Sequence, residues 1–91
     1  MTNRWIRHLI FKMKITVKVH GTLMKYIADY DHEKGLVLEF PDDTDAAALI
    51  EYLGIPKSKV GIVSVNGDQV KQDAILPDKA LVKVFQPIFG G

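Results

Sequence analysis

The sequence predicts an α+β fold in which one main helix packs on one face of a mixed sheet of four to five strands. Two strictly alternating stretches, KITVKVH (14–20) and ALVKVFQ (80–86), stand at opposite ends of the folded part. Between them Ala46, Leu49, Ile50 and Leu53 form a single apolar stripe at helical spacing. The dipeptide Asn66-Gly67, after a run of valines, is a strong short-range hairpin signal.

Each element follows from its residues. In 14–20, Ile15, Val17 and Val19 share one face, while Lys14, Thr16, Lys18 and His20 share the other. Leu23, Ile27 and Tyr30 recur at helical spacing in TLMKYIADY (22–30), which reads as a short helix or helical turn. DHEKG (31–35) is a polar loop closing on Gly35. LVLEF (36–40) turns Leu36, Leu38 and Phe40 inward and is expected to end at Pro41. The Asp42, Asp43, Thr44, Asp45 run offers caps and negative charge to a helix N-terminus, and Gly54 and Pro56 supply its stop. VGIVSV (60–65) leads through the hairpin to a brief return strand near Gln69–Lys71. AILPDK (74–79) is turn material with room for one turn of 3₁₀-helix. The first and last strands can pair in parallel at the centre through the long connection between them. That order is a β-grasp, the ubiquitin-like arrangement, with a free C-terminal tail. The expected division is an extension at 1–12, the β-grasp domain at 13–86 and a flexible tail at 87–91.

Composition narrows the function. The chain has 91 residues, 47% of them apolar, enough for one small core. It has no cysteine, which excludes a disulfide framework, a thiolate nucleophile and a thiolate metal site, and suits a cytoplasmic protein. Arg4, Arg7 and Lys12 are the only charges in residues 1–12; the remaining nine basic residues face 11 acids, a sum of −2. A folded part of that sign argues against nucleic acid. The longest uninterrupted apolar run in the extension, Leu9–Phe11, is too short for a secretion signal, and a membrane role is not expected. His8, His20 and His32 are scattered and read as ordinary histidines, so no metal is expected. The DDTD run lacks the glycine and distal glutamate of a calcium loop and reads as a helix cap.

The chain resembles the MoaD/ThiS family of ubiquitin-like sulfur carriers, which includes the small subunit of molybdopterin synthase. The resemblance rests on TLMKY after the first strand, on LGIPKSKVGIVSVNGDQV from helix end through hairpin, and on the terminal FQPIFGG. It covers residues 13–91 and is nearer the molybdopterin type than the thiamine type, because the Gly21–Gly35 connection is long. Three positions depart from the family's pattern. Phe89 stands where a small residue is usual, Lys79 where glycine is common, and Gln86 replaces the first of two prolines while Pro87 stays.

The resemblance implies a cosubstrate rather than an enzyme. The Gly91 carboxylate would be adenylated by a partner that uses ATP and Mg²⁺, and a sulfur donor would convert it to a thiocarboxylate. A molybdopterin-synthase-like large subunit would then accept the sulfur. This chain itself would bind no cofactor. Gly90 and Gly91 suit such threading because a Cβ would widen the chain and restrict its backbone. From Gln86 to Gly91 the six residues reach about 20 Å when extended, and Pro87 stiffens the root. Strand parity supplies a docking face, because Leu81, Lys83 and Phe85 point away from the helix together with Ile62. With Pro87, Ile88 and Phe89 of the tail they are the expected partner-binding residues. Three other readings stay open: a thiamine-pathway sulfur carrier, a ubiquitin-like modifier forming isopeptide bonds through Gly91, and a plain β-grasp interaction module.

Overall fold

The structure is a computed structural model and describes residues 12–87. Strand β1 (Lys12–Val19) is followed by a 3₁₀ segment (Gly21–Tyr26), strand β2 (Leu36–Pro41), helix α1 (Ala46–Tyr52) and a second 3₁₀ turn (Lys57–Lys59). Strands β3 (Ile62–Val65), β4 (Asp68–Val70) and β5 (Leu81–Phe85) complete it. The five strands form one sheet in the order β2-β1-β5-β3-β4. β1 and β5 pair in parallel at its centre, with Val17 opposite Val82 and Val19 opposite Val84. The other pairings are antiparallel. The α+β, ubiquitin-like fold expected from the sequence is the fold observed.

The alternation in β1 and β5 becomes a core because one face of the sheet is covered. Met13, Ile15, Val17 and Val19 of β1 are buried with Val82 and Val84 of β5 and Val63 and Val65 of β3. Ala46, Leu49 and Ile50 of α1 close over them, joined by Leu23, Ile55 and Leu76. The Asp45 carboxylate caps the helix, accepting from the Ala48 N–H at 2.8 Å. α1 has only seven residues. A helix that short does not stand alone in water, so its apolar stripe holds it on the sheet.

Boundaries differ from the expectation in three places. Lys12, assigned to the extension, is the first residue of β1 and pairs with Pro41, which itself ends β2 from inside the strand. No helical turn forms at 74–79. Residues 74–77 instead run extended to bury Leu76, with Ile75 bridged to Asp45 and the Leu76 N–H donated to Thr44 O at 3.0 Å, and a turn at 78–79 leads on to β5. The 3₁₀ turn appears at Lys57–Lys59, behind Pro56, whose φ of −60° starts it. No helix among the described residues is long and apolar enough to cross a membrane. Of the expected site residues, Ile88, Phe89, Gly90 and Gly91 lie outside the described residues, as does the extension apart from Lys12.

Candidate functional site

The sheet face opposite α1 carries the expected docking residues, and register fixes their arrangement. At the C-terminal end of β5, Phe85 stands opposite Ile62 of β3. On its other side lies His20, stacked with ring centroids 4.6 Å apart and planes 12° from parallel. These three make an apolar row across the sheet. The next row inward is polar: Ser64 opposite Lys83, and Lys83 opposite Lys18. Beyond it Leu81 lies opposite Thr16. Ile62, Leu81, Lys83 and Phe85 therefore share one face, each half-buried, with Lys83 between the two apolar β5 residues.

Two shallow depressions flank the point where the chain leaves β5. One, of about 400 Å³, is lined by His20, Gly21, Ile62, Phe85 and Gln86. The other, of about 300 Å³, has Thr22, Lys25, Tyr26, Ser58, Lys59, Gln86 and Pro87 around it. Gln86 borders both, so the start of the tail is a ridge between them. The Gln86 Oε1 accepts two hydrogen bonds at 2.6 Å, from the Thr22 N–H and from the Thr22 hydroxyl. Pro87 is half-buried over Gly61, whose N–H donates to Phe85 O at 2.7 Å.

Sequence reasoning missed this anchoring. It placed Gln86 at the end of the last strand, noted it as a replaced proline and counted it within the reach of the tail, but gave its side chain no partner. The signal was present in Gly21-Thr22, but a pairing 64 residues apart has no local pattern to reveal it. His20, read as an ordinary histidine, also escaped: its stacking partner is a strand away, and its buried Nε2 has no hydrogen-bond partner among the described residues.

Little else in the described residues has the makings of a catalytic centre. No three His, Cys, Asp or Glu side chains among them come together to hold a metal ion. One carboxylate, that of Asp31, is held by backbone N–H groups of its own loop. It accepts from the N–H groups of Glu33 and then Lys34, which holds its pKa below the usual 3.8. It sits in the exposed β1–β2 connection and braces that loop.

Solved structures of other ubiquitin-like proteins superimpose on this one. The HVO 2177 protein of Haloferax volcanii matches with a TM-score of 0.68 and 21% identity, over 88% of each chain. Small archaeal modifier protein 1 of H. volcanii gives 0.65 and 11%, over 84% of this chain and 99% of its own. A Pyrococcus furiosus protein assigned as molybdopterin converting factor subunit 1 gives 0.65 and 22%, with the same coverage. At these identities the likeness is one of fold. No curated protein sequence matches the chain. A family model described as Mut7-C ubiquitin matches residues 12–90, nearly the whole sequence. On that match, and on the sheet order and register described above, the chain belongs to the Mut7-C ubiquitin family.

Proposed function

We propose that the chain is a sulfur carrier whose Gly91 carboxylate is activated by a partner enzyme. The observation that carries this reading is the junction at the end of β5. The apolar row of His20, Phe85 and Ile62 lies directly beside the residue from which the chain departs toward Gly90-Gly91. A partner seated on that row has the tail at its own surface. The lysine pair behind it, Lys18 and Lys83, favours a partner with carboxylates at the matching place.

The chemistry belongs to the partner and to the terminus. A Gly91 carboxylate oxygen attacks the α-phosphorus of ATP, the bond to pyrophosphate breaks, and an acyl adenylate forms. A sulfide equivalent then attacks the acyl carbon and expels AMP, leaving a thiocarboxylate. That group passes its sulfur to an acceptor, for which we propose a pterin precursor bound to a molybdopterin-synthase-like large subunit. The fold likeness to a protein assigned as a molybdopterin converting factor subunit supports that choice of acceptor. The likeness to a small archaeal modifier protein supports a second reading, in which the same adenylate ends as an isopeptide bond to a lysine of another protein.

Intact mass after co-expression with the host's activating machinery tests both. Exchange of one oxygen for sulfur at Gly91 is expected of the carrier. Adducts of this chain on other proteins are expected of the modifier. A terminus left unchanged sinks both and leaves an interaction module. One residue added after Gly91 should abolish either product.

A further inference from the structure

The beginning of the tail is gripped from two sides by residues that have no room for a Cβ. Gly21 takes a left-handed φ of +67°, and a methyl group there would collide with the Gln86 side-chain amide. Next to it, Thr22 supplies both hydrogen bonds to Gln86 Oε1. On the opposite side, a Cβ on Gly61 would come within 2.6 Å of Pro87 Cα and 2.8 Å of the Gln86 carbonyl oxygen. These contacts lie beyond the last register pair of β5, Ile62 with Phe85, so they extend the hold past the end of the ladder.

We propose that this clamp is a length stop, and that Gln86 is a positioning residue for activation of Gly91; the inference rests on the reading above. The clamp fixes where the tail departs relative to the docking face, because Phe85 of that face directly precedes Gln86. Four residues follow Pro87, and their greatest possible span is about 14 Å. Releasing Gln86 and Pro87 would lengthen that span to about 20 Å. Slack dilutes the tethered carboxylate at the reaction centre, and too short a tether cannot reach it. A partner that docks on one row and reacts at one depth requires both limits.

The test is a cycle of four full-length chains: wild type, Gln86→Ala, deletion of Ile88, and both changes together. Each is incubated with ATP and an extract of host cells, and the rate of modification at Gly91 is read by intact mass. Deletion of Ile88 alone should slow modification by about a hundredfold, since the terminus falls short by one residue. Adding Gln86→Ala should restore most of the rate, because the released root supplies the missing length. Gln86→Glu keeps an acceptor oxygen for Thr22, so it should behave as wild type and fail to rescue the deletion. Thermal unfolding identifies any variant that does not fold, and amide exchange at Thr22 and Gly61 should quicken in Gln86→Ala but not in Gln86→Glu. Losses that simply multiply in the double variant overturn the length stop while leaving the carrier reading intact, and so does unchanged exchange at Gly61 in Gln86→Ala. A wild-type chain that is never modified overturns both.

Discussion

Lys79 holds a left-handed backbone, with φ at +62°, in the turn that enters β5. A side chain there crowds the following carbonyl, at a cost of about 1–2 kcal/mol, and only the surrounding contacts keep it in place. One of these is the Lys79 N–H donated to Lys14 O at 2.8 Å. Replacing Lys79 by glycine removes the crowding and leaves that hydrogen bond. The greater freedom of glycine in the unfolded chain offsets part of the gain. Lys79→Gly should therefore stabilise the domain by about 0.5–1 kcal/mol in urea denaturation; a destabilised variant would show that the side chain makes a compensating contact. His20 offers a second gain at a single position. Its ring stacks well on Phe85, but its buried Nε2 has no partner among the described residues. Phenylalanine keeps the stack and removes the orphaned nitrogen, so His20→Phe should raise the midpoint of thermal unfolding, by up to about 1 kcal/mol in free energy. A lower midpoint would mean that the nitrogen has a partner in solution.

The elements differ in how plainly their residues announce them. β1 and β5 were legible because a buried face and a wet face impose a period of two, and a slip of one residue would reverse every side chain. The hairpin was legible because Asn66 and Gly67 both take positive φ, at 51° and 92°, which few other residues tolerate. What escaped was contact across distance. The Tyr30 hydroxyl, which accepts from the Val19 N–H at 2.8 Å, and the Gln86 amide both satisfy backbone groups of segments remote in sequence. The 3₁₀ turn allowed for in 74–79 is absent for a related reason: ahead of the turn at 78–79, the demand to bury Leu76 shapes the stretch. At this scale the β1–β2 connection carries a pH dependence. Asp31 has a pKa lowered by the N–H groups of Glu33 and Lys34. Its contribution to stability is therefore complete above the ordinary carboxylate value and lost as the pH falls through the lowered one. The amide resonances of Glu33 and Lys34 should titrate together, with a midpoint below 3.8. Separate midpoints, or one at the ordinary value, would show that the loop is not braced this way.

Over the whole molecule the two faces of the sheet divide the work. One face, under α1, supplies stability; the other carries Ile62, Phe85, Leu81 and Lys83, each half-buried. Which residues lie on the outer face was legible, since parity alone assigns them to one side, but the grip on the root was not. A change on the outer face should therefore weaken association more than folding. Phe85→Ala is expected to weaken binding to the activating partner by about 30-fold, the scale of an aromatic anchor, as measured by calorimetric titration. Leu49→Ala on the covered face should cost about 2–5 kcal/mol of stability instead. If Phe85→Ala unfolds the domain while leaving the affinity of the residual folded fraction unchanged, the outer face is not where the partner sits.

Parallel pairing of β1 with β5 joins the two ends of the described chain at the middle of the sheet. During synthesis, then, the N-terminal strand emerges from the ribosome long before its central neighbour exists, and has only β2 to hold on to. Pairings so remote close slowly even in the finished polypeptide. A nascent chain stalled before Leu81 should expose Ile15, Val17 and Val19 to chaperones and proteases, whereas one released after Phe85 can close its core in a single step.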